Sequence, residues 1–77
     1  MTYSILAPLP GIFYRRPAPD EPFFVEEGAS VVSGATIGLV EAMKQFFPVE
    51  AELSGKIKFL VEDGSIVDTE QAIAEIE

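Results

Sequence analysis

The chain contains no cysteine and no histidine. The first absence removes disulfides and thiol nucleophiles, and the second removes imidazole bases. Together they remove the commonest zinc ligands, so no metal site is expected. Positive charge is scarce: five Lys and Arg stand against 13 Asp and Glu, a net charge of −8. That leaves no basic footprint for nucleic acid and no polybasic patch for a membrane. The acidity suits basic protein partners or simple solubility. Long apolar runs are also missing. No stretch approaches the roughly 20 residues of a membrane helix, and the opening "MTYSILAPLP" has no positively charged segment of the secretory kind. The expectation is a soluble, cytoplasmic protein. A chain of 77 residues is one domain, residues 1–77, and buries only about 60% of its unfolded surface. Such a domain does not readily wall off a deep active site. Its 48% hydrophobic and 23% charged residues are ordinary for a globular fold.

What is present is an internal repeat. Val25–Glu41, "VEEGASVVSGATIGLVE", aligns without a gap with Val61–Glu77, "VEDGSIVDTEQAIAEIE", at an offset of 36 with six of 17 positions identical. The identical pairs are Val25/Val61, Glu26/Glu62, Gly28/Gly64, Val31/Val67, Ile37/Ile73 and Glu41/Glu77. A weaker match precedes each copy: "APLPG" (Ala7–Gly11) against "AELSG" (Ala51–Gly55), at an offset of 44. The two offsets differ by eight, so the first half carries an eight-residue insertion between Gly11 and Val25. "YRRPAPDE", Tyr14–Glu21, is the natural candidate, because its prolines cannot donate ladder hydrogen bonds. Two copies are too few for a solenoid. They predict pseudo-two-fold packing of two sheets.

Close-spaced β-branched residues and glycine turns predict strands near Ser4–Ala7, Phe23–Glu26, Ser30–Val32, Ile37–Glu41, Phe46–Ala51, Gly55–Leu60, Ile66–Val67 and Ile73–Ile76. Turns are expected at Glu27-Gly28, Ser33-Gly34, Ser54-Gly55 and Asp63-Gly64. The expected fold is all-β: a flattened barrel or sandwich of about eight short strands.

Lys44 is one of three lysines, with Lys56 and Lys58. "LVEAMKQF" (Leu39–Phe46) admits one helical turn with Glu41 and Lys44 at i, i+3. The β-rich flanks and Pro48 argue against a helix. Glu41 corresponds to Glu77 at the end of the second copy, so Lys44 falls just past a strand end, at a hairpin tip. Tight two-residue hairpins prefer Asn-Gly or Asp-Gly. Met-Lys there is a poor choice for stability and points to functional constraint.

"EAMK" (Glu41–Lys44) closely resembles the biotinyl-lysine motif of biotin carboxyl carrier domains. "FYRRPAPDEPFFVEEG" (Phe13–Gly28) is similar to the thumb segment of carriers from multi-subunit acetyl-CoA carboxylases. The resemblance spans the whole chain, and the barrel-sandwich hybrid fold of that family accounts for the repeat. It implies covalent biotin on Lys44, flanked by Glu41, Ala42, Met43 and Gln45, and a thumb made of Tyr14, Arg15, Arg16, Pro17, Ala18, Pro19, Asp20 and Glu21. It implies a biotin protein ligase, a biotin carboxylase and a carboxyltransferase as partners, and a carrier without catalytic residues of its own. In the family mechanism the carboxylase uses ATP and bicarbonate, and the transferase passes the carboxyl group to an acceptor, typically acetyl-CoA for fatty acid biosynthesis. Lipoyl domains share the fold, but their lysine usually follows Asp, and they lack the thumb.

Two features depart from the pattern. Gln45 stands where methionine is common, and the chain begins almost at the first strand, as an excised domain or a stand-alone carrier would. A carrier acting on another acyl-CoA, urea or a small amide or lactam is the second reading, and an adaptor without biotin the third. A Schiff-base lysine enzyme would need a desolvated pocket or a cationic neighbour, and Glu41 and Glu50 supply neither. Around the lysine, Met43 is expected to tune recognition. Glu41 either orients the turn or ends a strand on the polar face. One of Phe46 and Phe47 faces the core and the other faces out. In the thumb, Phe13, Phe23 and Phe24 are expected as anchors, with Arg15 and Arg16 either paired with acids or facing a partner.

Overall fold

The computed structural model describes residues 2–77 and leaves Met1 outside. Its strands, in chain order, are β1 (Tyr3–Leu6), β2 (Gly11–Tyr14), β3 (Ser30–Val31), β4 (Thr36–Ala42), β5 (Gln45–Glu50), β6 (Gly55–Phe59), β7 (Ser65–Val67) and β8 (Ala72–Ile76). They build two four-stranded antiparallel sheets, ordered β1-β8-β6-β3 and β5-β4-β2-β7. The body measures 34 × 27 × 19 Å, the flattened sandwich that the sequence predicts.

The two sheet orders are one order written twice. The offset of 44 carries β1 and β2 onto β5 and β6, and the offset of 36 carries β3 and β4 onto β7 and β8. Hydrogen bonds follow the same exchange. Ala7 N donates to Gln71 O at 2.8 Å, and its counterpart Ala51 N donates to Ala35 O at 2.9 Å. Gly28 N donates to Ile57 O at 2.9 Å, and Gly64 N to Phe13 O at 2.7 Å. Each sheet takes two strands from each half, so neither half completes a sheet alone.

Repeated residues mark repeated packing. A Cβ on Gly11 would collide with the carbonyl oxygen of Glu41, and one on Gly55 would sit 2.6 Å from that of Glu77. Only glycine allows such close backbone approach. Inward positions alternate with outward ones, as strands require. Phe13, Ile37, Val40, Ile57, Val67 and Ile73 are each 1% exposed or less. Burying a side chain of this size stabilises by about 1.5–3 kcal/mol. β5 is an edge strand, and Pro48 within it removes one donor from the open edge.

Two expectations need correction. Phe23–Glu26 is irregular rather than a strand, and the strand it was expected to supply is β2, Gly11–Tyr14. β2 pairs with both β4 and β7, as its counterpart β6 pairs with β8 and β3. Phe23 is drawn out of register by the insertion, where its ring meets two guanidinium groups. Ser54-Gly55 is not a turn, because Gly55 opens β6. The other three expected turns form, and Thr69-Glu70 adds one more at the counterpart of Ser33-Gly34. Glu70 there holds φ 65° where its counterpart Gly34 holds 93°.

Candidate functional site

β4 and β5 close their hairpin with the pairs Glu41↔Phe46 and Ala42↔Gln45, which leaves Met43 and Lys44 as a two-residue loop. Their φ angles are 52° and 64°. A type I′ hairpin turn demands positive φ at both positions and so favours Asn and Gly. Holding a residue with a Cβ there costs roughly 1–2 kcal/mol each. Met43 is 83% exposed, so no packing offsets this cost. Lys44 is exposed as well. The one ion pair among the described residues is Arg16–Asp63, so no carboxylate holds the Lys44 amine.

Glu41 faces away from Lys44 toward β2, where the Tyr14 hydroxyl donates to its Oε1 at 3.0 Å. That hydrogen bond, burial and the nearby charges of Glu41 and Asp63 raise the Tyr14 pKa above its usual range. The phenol therefore stays a donor at neutral pH. Phe46 points outward at 55% exposure and lies 6.3 Å from the Tyr14 ring, centroid to centroid. Phe47 is half-buried and pairs with the core residue Val40.

The non-repeating loop leaves the sheet after β2, so Tyr14 belongs to the strand and the loop proper starts at Arg15. Its base is closed by Phe24 N donating to Arg15 O at 2.8 Å. The Arg15 guanidinium lies between the rings of Phe23 and Phe59, 4.1 and 4.0 Å from their centroids. Its Nη2 donates to Val25 O at 3.3 Å. The Arg16 guanidinium lies 4.2 Å from the centroid of the same Phe23 ring and places Nε 3.3 Å from Asp63 Oδ2. Arg16 Nη1 also donates to the carbonyls of Pro19 and Glu21, at 3.4 Å each. Of the two arginines, Arg16 is paired with an acid, whereas the Arg15 guanidinium is held by two rings and a backbone carbonyl. Phe13 lies in the core, Phe23 is the ring clamped by the arginines, and Phe24 is half-buried.

Between this loop and the sheet lies a cavity of about 410 Å³ lined by Tyr14, Arg16, Pro17, Ala18, Pro19, Phe46 and Asp63. That volume suits a small ligand. Phe46, in its wall, stands two residues beyond Lys44. Asp20 and Glu21 are exposed and do not line it. Asp63 and Phe59 are the residues that sequence reasoning missed. Asp63 Oδ1 accepts from Arg15 N at 2.7 Å, just as its repeat counterpart Glu27 accepts from Phe59 N at 2.8 Å. The repeat alignment of Asp63 with Glu27 was the available signal. No group of His, Cys, Asp and Glu among the described residues is arranged to hold a metal, and no described helix is long and apolar enough to cross a membrane.

Residues 4–76 match the family model described as biotin-requiring enzyme. The biotin carboxyl carrier protein of acetyl-CoA carboxylase from Pyropia yezoensis is 45% identical over 75 residues, 96% of this chain and 48% of that protein. The Haemophilus influenzae protein of the same name is 39% identical over 76 residues, 97% of this chain and 49% of that one. The chain thus spans about half the length of these relatives. Among solved structures, urea carboxylase of Kluyveromyces lactis superposes with a TM-score of 0.80 at 26% identity, covering all of this chain and 6% of that one. With nearly its full length matched and its fold shared, the chain belongs to the biotin-requiring enzyme family.

Proposed function

We propose that this chain is the biotin-carrying domain of a biotin carboxyl carrier protein, most simply that of an acetyl-CoA carboxylase serving fatty acid biosynthesis in the cytoplasm. Lys44 is the attachment residue, loaded by a biotin protein ligase, and the domain presents its cargo in turn to a biotin carboxylase and a carboxyltransferase. It performs no catalysis itself. The observation that carries this reading is the Met43-Lys44 loop, held at positive φ without glycine and with the lysine exposed.

The residues present fit biotin. An amine at a rigid hairpin tip, free of any ion pair, is open to acylation by a ligase. The cavity beside it joins the rings of Tyr14 and Phe46 and the prolines Pro17 and Pro19 to the polar Arg16 and Asp63. Such a lining suits a small heterocycle with a polar edge. When attached, biotin supplies the ureido nitrogen that takes up and releases a carboxyl group. The chain's own contribution is positional. The hairpin fixes the tether point, the Tyr14–Glu41 hydrogen bond steadies the strands beneath it, and the clamped loop holds one wall of the cavity in place. Tethering raises the local concentration of the group at each partner.

The likeness to urea carboxylase favours one second reading, a carrier that serves urea. Both are tested by incubating the biotinylated chain with biotin carboxylase, MgATP and radiolabelled bicarbonate. Label appears on the chain and passes to acetyl-CoA through an acetyl-CoA carboxyltransferase. Transfer to urea alone, through a urea carboxyltransferase, selects the second reading. A fully biotinylated chain that takes no label contradicts both.

A further inference from the structure

A single covalent connection joins the two halves. The first half ends with β4 at Ala42, the second begins with β5 at Gln45, and Met43-Lys44 is the link. Within each half one strand pair forms: β2 with β4, and β6 with β8. The four other pairings, β1 with β8, β2 with β7, β3 with β6 and β4 with β5, cross from one half to the other. So do the backbone hydrogen bonds from Ala7 N to Gln71 O and from Ala51 N to Ala35 O, and the Arg16–Asp63 pair. Each half depends on a complement, yet nothing requires the complement to come from the same chain. A second copy offers the same surfaces.

The link is strained in its closed shape. Both of its residues hold positive φ although each carries a Cβ. The turns at Gly28, Gly34 and Gly64 meet the same demand with glycine. In an extended conformation Met43 and Lys44 shed that cost, and from Leu39 to Phe47 no glycine or proline interrupts a strand. A short hinge under strain favours the exchange of identical elements between copies. The register needs no adjustment. Glu41↔Phe46 and Ala42↔Gln45 lead on to Met43 of one copy opposite Lys44 of the other. β4, the link and β5 then form one strand, Thr36–Glu50, and two such strands pair about a two-fold axis. Leu39 and Pro48, near the centres of β4 and β5, lie about 30 Å apart along that strand. One body measures 34 × 27 × 19 Å, so the two bodies abut with the Lys44 pair between them.

We propose that Met43-Lys44 is a hinge through which two copies of this chain exchange halves, forming a dimer in which Lys44 is withdrawn from the ligase. In the closed chain the lysine stands on a protruding tip. In the exchanged dimer it lies midway along a paired strand between two bodies, and the turn no longer exists. Met-Lys in place of Asn-Gly thus presents the lysine but leaves the closed chain open to competition from the dimer by mass action. The loss of ligase access rests on the carrier reading above. The exchange itself does not.

The test exploits the absence of cysteine. Ser30 and Lys56 are exposed register partners on β3 and β6, one from each half. A chain carrying Ser30→Cys and Lys56→Cys is refolded from urea at about 1 mM, where mass action favours a dimer, and dimer and monomer are separated by size exclusion in the cold. Both are oxidised, then denatured without reductant. The exchanged dimer stays joined as two chains, whereas the monomer holds its disulfide within one chain. A dimer that falls apart into single chains consists of closed molecules in surface contact and overturns the proposal. Refolding that yields monomer alone overturns it too. Met43→Asn with Lys44→Gly suits the closed turn and lowers the dimer fraction by about tenfold or more. An unchanged fraction contradicts the hinge. Finally, ligase, ATP and biotin load the native monomer about tenfold or more faster than the native dimer, because loading waits for the dimer to open. Equal rates overturn the withdrawal of Lys44. A monomer that is never loaded, beside a dimer joined by disulfides, defeats the carrier reading and upholds the exchange.

Discussion

Tyr14 donates its phenolic hydrogen to Glu41 Oε1 at 3.0 Å, joining the strand that leads into the thumb loop to the strand that leads into the Lys44 turn. The two features that distinguish this half of the molecule from the other are thereby tied together at their bases. The second half has Lys58 and Glu77 at the same positions and lacks the eight-residue insertion.

The pairing has a pH signature. The Tyr14 pKa is raised, first by the hydrogen bond to Glu41, then by burial and by the charges of Glu41 and Asp63. The folded chain therefore holds the phenolic proton more tightly than the unfolded chain. The contact's contribution is fully present below the unfolded pKa of about 10 and is lost as pH rises through the folded value. Glu41→Gln keeps an acceptor but removes the charge, so the midpoint falls back toward the ordinary tyrosine range. Absorbance titration reads this in a Tyr3→Phe background, because Tyr3 is raised in the same way by Glu52. An unchanged midpoint in Glu41→Gln contradicts the contact.

Met43 holds φ 52° while 83% exposed, so its side chain adds no packing that offsets the cost of the turn, and the carrier reading assigns its identity to recognition by the ligase. Met43→Asn suits the turn better and stabilises the domain by about 0.5–1 kcal/mol in urea melts. The same variant is a poorer substrate for biotin ligase. A destabilised variant that is loaded as fast as the native chain contradicts both halves of this account.

The thumb is an addition to a complete scaffold. Deleting Arg16–Phe23 joins Arg15 to Phe24, reproducing the direct Phe59-Leu60 connection of the second half. The deletion removes one face of the Arg15 stack and the Arg16–Asp63 pair, which is about 30% exposed on each side. It costs no more than about 2 kcal/mol, with dispersed amide resonances retained. An unfolded product means that the loop is part of the core.

Ile37 and Ile73 are repeat counterparts, each 0% exposed. Truncation of either to Ala costs about 2–5 kcal/mol, and the two costs agree to within about 1 kcal/mol. Thermal or urea melts check this. A large inequality breaks the energetic equivalence of the halves.

The sequence discloses some of this arrangement readily and hides the rest, for local reasons. The Lys44 turn is legible because Met-Lys violates the chemistry of its own turn type. The insertion is legible because two offsets disagree by eight residues. β2 is obscured by Pro8 and Pro10 before it and "RRP" after it, although the alignment of Gly11 with Gly55 marks where it starts. The thumb's anchors are hidden because they join distant residues: Arg15 reaches Asp63 across 48 positions and stacks on Phe59. No local pattern encodes a contact between the insertion of one half and the turn of the other.

The most direct test of the central claim is an intact mass after treatment with biotin ligase, ATP and biotin, followed by peptide mapping. One added biotinyl group on the peptide containing Lys44, lost in a folded Lys44→Arg variant, is the predicted result. A chain that stays bare while a control carrier is loaded, or that carries the group on Lys56 or Lys58, contradicts it.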